Sequence, residues 1–209
     1  SATKLSVITE EEPHGHRHYA RIVELIEQAG FNEKVTKTSL AIFQKIGQAE
    51  AKIQNMSLEK VHFHEVGAID SIADAVGFAL ALDSLNVDQI IASSVPVGSG
   101  MIWCDHGWYP VPAPATLEML KGIPIAASKH KFELTTPTGA GIVSSVVDTF
   151  KPSLPAMKVE AIGYGAGTRD LPNQPNVLRV VVGTLQEQQV KPNHSHSHGH
   201  AHSHEHHNS

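Results

Sequence analysis

The chain has 209 residues, a formal net charge of -5 with histidine neutral, and 41% apolar residues. That size and apolar content allow one or two domains with a sizeable core. They exclude an intrachain disulfide, because Cys104 is the single cysteine, a membrane span of roughly 18 to 20 apolar residues, and a Lys/Arg-rich nucleic-acid footprint.

The start, SATKLSV, lacks the apolar core of a signal peptide and an initiator methionine, as in a processed chain or an excised fragment. With one cysteine, the chain fits a reducing, cytoplasmic compartment. Residues 1–18 end in EEEPHGHRH and read as a loop, linker or truncated start. HYARIVELIEQAG then places Ile22, Val23, Leu25, Ile26 and Ala29 at helical spacing, with Gly30 as the stop. NEKVTKTSLAIFQKIGQAEAKIQNM predicts a second amphipathic helix with Val35, Leu40, Ile42, Phe43, Ile46 and Ala49 on its stripe, interrupted by Gly47.

KVHFHEVG reads as a short strand or extended segment. Ile69 to Leu82 follows as a helix apolar on nearly all sides, expected to be packed deeply. DQIIASSVPVGSG predicts a buried strand and a glycine-rich turn. Pro110, Pro112 and Pro114 keep the next stretch extended until a short helix begins near Pro114 or Ala115. IPIAAS is a short strand. In FELTTPTGAGIVSSVVDTF a polar loop runs into an apolar helix capped by Thr136 or Thr138. MKVEAIGYGAGTRD is a strand with a glycine-rich turn, and NVLRVVVGTL alternates as a further strand.

The fold class predicted from this order is α+β (mixed α/β): a mixed sheet packed with helices over 19–186, followed by a flexible, disordered His-rich tail over 187–209. Of the 15 histidines, eight fall in NHSHSHGHAHSHEHHNS at the end, and His14, His16 and His18 form HGHRH. Imidazole suits nickel, zinc, copper and cobalt better than magnesium or calcium. Interrupted by Ser, Gly and Ala, the tail reads as a native tract for metal capture, buffering or delivery.

The segment VHFHEVGAIDSIADAVG, Val61 to Gly77, concentrates His62, His64, Glu65, Asp70 and Asp74 between apolar residues. If HFH is extended, His62 and His64 share one face; if a helix starts at Asp70, Asp74 lies one turn along. Three readings stay open: a divalent ion with mixed nitrogen and oxygen ligands, an imidazole base oriented by a carboxylate, and a helix start in which Asp70 caps the backbone. The zincin motif HExxH is absent; Val66 stands four residues after His62.

Cys104, Asp105 and His106 form a second polar group, readable as a nucleophile or ligand pair or as a buried cysteine, with His106 a pocket residue. SSVPVGSG and LTTPTGAG combine hydroxyls with glycines, and TPTGAG opening a helix is the better anion cradle, though it lacks a P-loop lysine. GYGAGTRD adds Arg169, which either clamps a carboxylate or phosphate or pairs with Asp170 or Glu160.

EKVHFHEVGAIDSIADAVG, HGWYPVPAPATLEMLKGIPI, ELTTPTGAGI and YGAGTRDLPNQPNVLRV, in this order, resemble the nickel-insertion protein family of nickel-pincer cofactor biosynthesis, the LarC family. The resemblance covers about 14–185, and the His-rich tail is also similar. It implies a late step of cofactor synthesis: insertion of nickel into pyridinium-3,5-bisthiocarboxylic acid mononucleotide, with one carbon–nickel and two sulfur–nickel bonds, to serve lactate racemase and related enzymes. It also implies dependence on CTP with manganese or magnesium, bound by a C-terminal portion beyond this chain, either continuous with it or a separate partner. The opening DxxxGxxGDM-like segment of the family is not present, so the chain corresponds to the central part of the first portion.

The resemblance supplies a substrate with a phosphate, thiocarboxylates and a cationic ring that must lose a proton. The catalytic candidates are then His62, His64, Glu65 and Asp70. The anion and substrate contacts are Thr136, Thr138, Gly139, Arg169 and His106. The nickel donors are His64, Glu65, Asp74 and, in the tail, His196, His198, His200, His202 and His204. Either Asp70 or Asp74 orients an imidazole. The expected enzyme is part of a lyase-type nickel chelatase, a homo-oligomer with no nucleic-acid or membrane partner. The alternative is a non-catalytic nickel storage or delivery module.

Overall fold

The computed structural model describes residues 1–8, 17–63, 69–104, 107–171 and 174–186. Helix α1, Tyr19–Gln28, buries Ile22 and Ile26, one turn apart, and is followed by Gly30 at φ 76. That left-handed position stops the helix where a side chain would be strained.

Helix α2, Glu33–Gln54, is the long central rod. Asn32 caps it, its side-chain oxygen accepting the Val35 N–H at 2.9 Å, and Glu33 lies in the first turn, where negative charge suits the helix dipole. Asn55 closes it in the left-handed region at φ 52. Val35, Ile42, Phe43, Ile46 and Ala49 are buried, and α2 packs against α1 and the three later helices. Gly47, the interruption in the stripe, is where Leu58 and Tyr19 press onto α2: a Cβ there would lie 2.6 Å from Leu58 Cδ1.

Helix α3, Ile69–Leu85, extends three residues beyond the expected end. The deep packing expected on all sides is not what forms. Ser71, Ala75 and Ala79 make the fully buried stripe, whereas Leu80 is 44% and Leu85 47% exposed. Small residues four apart let α3 lie close to α2 along one face. The uniform apolarity of the sequence had concealed which face that would be. Helix α4, Pro114–Met119, begins with proline at its first turn. Helix α5, Pro137–Val146, is capped by Thr136, whose hydroxyl accepts the Gly139 N–H at 3.2 Å, so Thr136 rather than Thr138 is the cap.

Among the described residues ten strands accompany these helices. Strand β1, Arg17–His18, pairs antiparallel with β2, His62–Phe63. Strands β3, Ile91–Ala92, and β4, Val95–Pro96, pair in parallel with β8, Thr149–Phe150, and β7, Ile125–Ala126, respectively. Strands β5, Met101–Cys104, and β6, Gly107–Pro110, form a hairpin. Strands β9, Met157–Ala166, and β10, Val177–Leu185, form a longer one with a bulge between Val182 and Gly183. Both pairing senses occur, as a mixed α/β fold requires, but among the described residues they are divided over five two-stranded ladders rather than joined in one mixed sheet. Proline and glycine keep the central strands short: Pro96 ends β4, and Gly98 and Gly100 adopt φ 84 and 94 just beyond it.

The core joins α1, α2, the β2 region, α3, α4 and α5 through Ile22, Ile42, Phe43, Val61, Ala75 and Ala140. Outside it, the hairpin of β5 and β6 stacks Trp103 edge-on against Trp108, ring centroids 5.6 Å apart, with each indole 64% exposed. Beside the hairpin of β9 and β10 the N-terminal segment makes an isolated parallel bridge: Thr3 donates to the Tyr164 carbonyl at 2.9 Å and accepts from the Ala166 N–H at 2.8 Å. Among the described residues no helix is long and apolar enough to cross a membrane. The His-rich segment over 187–209 lies outside the described residues.

Two of the helix glycines separate packing from propensity. At Gly141 of α5 a Cβ would lie 2.6 Å from Ile46 Cγ1 in the core, whereas at Gly77 of α3 it would meet nothing within 4 Å. Gly77→Ala is therefore expected to stabilise the chain by about 0.5–1 kcal/mol. Gly141→Ala is expected to destabilise it by about 1–3 kcal/mol through overpacking. Urea unfolding followed by circular dichroism reads both; equal signs for the two changes would contradict the packing assignment.

Candidate functional site

The antiparallel ladder of β1 and β2 is built from an alternation in the sequence. Val61 and Phe63 are 0% and 2% exposed, so the intervening His62 is turned away from the core and is half-buried. Phe63 is fixed from behind by edge-on contacts with Phe43 of α2 at 6.3 Å and Tyr19 of α1 at 6.4 Å. The Tyr19 N–H donates to the Val61 carbonyl at 3.2 Å. Directly opposite His62 in the register stands the exposed His18, and the two ring centroids are 4.0 Å apart at an interplanar angle of 51°.

His18 was missed as a site residue. The signal was present, since HGHRH and HFH both space histidines two apart, but reading 1–18 as a linker hid their pairing. His64 and Glu65 lie outside the described residues, as do His106 and the tail candidates His196, His198, His200, His202 and His204.

Asp70 and Asp74 lie one turn apart at the start of α3. The Asp70 carboxylate accepts the N–H of Ser71 at 2.8 Å, in keeping with the role at a helix start foreseen for it. Partial burial pushes the Asp74 carboxyl above the usual aspartate range, and the negative charge of Asp70 adds to the rise. Among the described residues no three His, Cys, Asp or Glu side chains cluster closely enough to hold a metal ion. The described imidazole at 62 therefore meets a second imidazole rather than the two aspartates in one ligand set.

The anion candidates divide between two places. Thr136 and Gly139 form the first turn of α5, with the Thr136 hydroxyl engaged by the Gly139 N–H, and Thr138 is half-buried in the same turn. Arg169 places its guanidinium 4.6 Å from the centre of the Phe132 ring, a cation–π geometry. Its backbone carbonyl accepts from Asn176 Nδ2 at 2.9 Å. Phe132 precedes Thr136 by four residues, and this connecting run is held against the loop after β4. There the Leu134 N–H donates to the Val97 carbonyl at 3.2 Å and the Thr135 hydroxyl donates to the Pro96 carbonyl at 2.6 Å. Gly98, at φ 84, permits this approach, because a Cβ there would collide with the Phe132 carbonyl oxygen. Neither Asp170 nor Glu160 forms a described ion pair with Arg169.

Comparison with known proteins gives the context of these residues. The family model for nickel insertion proteins matches residues 1–205. A pyridinium-3,5-bisthiocarboxylic acid mononucleotide nickel insertion protein of Geobacillus kaustophilus is 55% identical over 192 residues, covering 88% of this chain and 46% of the relative. A protein of the same description from Staphylococcus epidermidis is 49% identical, covering 86% of this chain and 45% of its own length. A putative nickel insertion protein of Dictyoglomus thermophilum is 44% identical, covering 90% and 48%. The chain thus spans about half the length of these relatives. No solved structure matches it significantly. With a family model matching nearly end to end, the chain belongs to the nickel insertion protein family.

Proposed function

We propose that this chain is the nickel- and substrate-handling portion of a CTP-dependent nickel insertase. In this reading it is part of a lyase-type nickel chelatase that places nickel into pyridinium-3,5-bisthiocarboxylic acid mononucleotide, making the nickel-pincer cofactor of lactate racemase. The observation that carries the reading is the 55% identity, over 88% of this chain, to a protein named for that insertion. CTP and its Mn²⁺ or Mg²⁺ belong, in this reading, to the further half that the relatives possess. The protein works in the cytoplasm as a homo-oligomer, for which the exposed Leu80 and Leu85 of α3 supply apolar surface. The domain organisation follows the sequence: an α+β body over 19–186 and a metal-gathering tail over 187–209.

The substrate dictates the division of labour. Its phosphate needs N–H and hydroxyl donors, for which the first turn of α5 presents the Thr136 and Thr138 hydroxyls and, once released from the Thr136 hydroxyl, the Gly139 N–H, and a cation, which Arg169 offers. Held over an aromatic ring, the Arg169 guanidinium keeps its edge free for an oxygen anion. Nickel needs borderline nitrogen donors before the thiocarboxylate sulfurs take it. His62 supplies one, with His64, Glu65 and His106 assigned to the same side of the reaction and the tail histidines to capture. The ring carbon that bonds nickel must lose a proton. Asp74, whose carboxyl partial burial makes more basic than an ordinary aspartate, is the described group best suited to accept or relay it, and the charge of Asp70 adds to that basicity.

Incubating the chain with precursor, Ni²⁺, CTP and Mn²⁺, with and without the C-terminal half of the Geobacillus relative, tests the assignment. Product is expected only when that half is added, and His62→Ala should lower the yield by roughly tenfold or more. Retained nickel binding with no product under either condition would favour the delivery module instead.

The aspartate pair predicts a pH dependence. A carboxyl raised in the folded state makes its charged form costly, so stability falls as pH rises through the raised value and is recovered below it. Asp74→Asn should therefore be the more stable protein at neutral pH. The difference should shrink as pH falls from the raised value toward the ordinary aspartate range, and thermal melts across pH 3–8 read it. Asp70→Asn should move the Asp74 titration downward in NMR; an unmoved titration would dissociate the two groups.

A further inference from the structure

We propose that His18 and His62 together form a two-imidazole docking site for a divalent late first-row ion, nickel in the function assigned above. The site lies on the outer face of the ladder of β1 and β2. This inference rests on the insertase reading only for the choice of nickel; the site itself follows from the strand register.

The argument begins with the hydrogen bond from the Tyr19 N–H to the Val61 carbonyl. In an antiparallel ladder hydrogen-bonded and non-hydrogen-bonded pairs alternate. The Tyr19 N–H to Val61 carbonyl bond marks a bonded position, although the Val61 N–H itself donates to the Leu58 carbonyl at 3.1 Å, so His18 and His62, one step along in the same register, form a non-bonded pair. That is the class in which opposed side chains stand closest. The backbone on both sides is immobilised from within, by Val61 and Phe63 in the core and by Tyr19 against Phe63. Neither imidazole needs to be carried to the other by a moving loop.

The spacing fits ligation. Two imidazoles that share one ion at about 90–109°, each nitrogen about 2.0–2.1 Å from the metal, have ring centroids roughly 4.5–5.2 Å apart. The observed separation is 4.0 Å with the rings tilted by 51°, so side-chain rotations that part the rings by roughly 0.5–1 Å bring one nitrogen of each to a common ion. A stacked aromatic pair serving only the ladder would be supplied as well by two hydrocarbon rings, with no polar edge to hydrate. Here His18 is exposed and His62 half-buried, which leaves the outer edge of the pair open to an incoming ion.

Two donors are few. Among the described residues no third His, Cys, Asp or Glu completes the set. That suits a site of passage more than one of storage: the remaining coordination positions hold water, which thiocarboxylate sulfurs can displace. In the sequence His16 stands two residues before His18 and His64 two residues after His62, both outside the described residues.

The test uses the whole 209-residue chain with its eight tail histidines replaced by alanine, titrated with NiSO₄ by calorimetry without precursor or nucleotide. One site is expected in this background. His18→Phe and His62→Phe keep a ring at each position and so preserve the ladder, checked by thermal melting without metal. Each is expected to weaken nickel binding by about tenfold or more, with little further loss in the double variant, because the donors act as one site. Paramagnetic broadening of the Tyr19 and Phe63 ring signals by Ni²⁺ should vanish in the same variants. Unchanged affinity and broadening in both single variants would overturn the proposal. Nickel binding that depends on both histidines, with no pincer product in reconstitution, would uphold the site and remove the insertase reading. Product formation with unaltered nickel binding in the variants would do the reverse.

Discussion

The close crossing of α2 and α5, where Ile46 lies against the bare backbone of Gly141, is the contact on which the rest of the architecture depends. Helix α2 packs against α1, α3, α4 and α5, so its distance from α5 sets the thickness of the core. Phe43, one turn from Ile46 on the same buried face, carries this constraint to Phe63 and the ladder of β1 and β2. The orientation of His62 is thus a consequence of helix packing: Val61 and Phe63 are taken by the core, and the residue between them has one direction left. Likewise Thr136 caps α5 at the point where that helix meets the connecting run from Phe132. The two halves of the candidate site, nitrogen donors on one element and anion donors on another, are referenced to the same central helix.

What was legible in the sequence follows from how local each signal is. Helices α1 and α2 and strand β10 were readable because the 3.6- and 2-residue periods lie within the elements themselves and the Gly stop of α1 lies beside it. The α5 cap was narrowed to two threonines by its neighbours, and the hydrogen bond to Gly139 selected Thr136. The pairings of β3 with β8 and of β4 with β7 were not readable. Each is a parallel contact of two residues between distant segments, and no local pattern marks a strand so short. Helix α3 shows a different limit, for its sequence is apolar around the circumference and only the small-residue stripe Ser71, Ala75 and Ala79 says which side meets α2.

The site was legible as a list of residue types and less so as a geometry. His62 and Asp70 were singled out from spacing, and the structure gives them different neighbours: His18 for one, the helix backbone and Asp74 for the other. The partner of His62 came from a segment whose acidic run, proline and glycine mark a linker. Chain chemistry there was informative while chain conformation was not. Arg169 was anticipated as an anion clamp or an ion-pair partner; the ring of Phe132 as its platform involves a residue with no polar signature at all.

The exposed indole pair of the hairpin of β5 and β6 has a spectroscopic consequence. The chain contains two tryptophans, Trp103 and Trp108, and both sit on that hairpin, edge-on to each other and largely in solvent. Intrinsic tryptophan emission therefore senses this one ladder and is nearly blind to the core around α2. Far-ultraviolet ellipticity, dominated by the helices, senses the core. The two signals follow different parts of the molecule, and a disagreement between their transitions would measure how independently the hairpin opens.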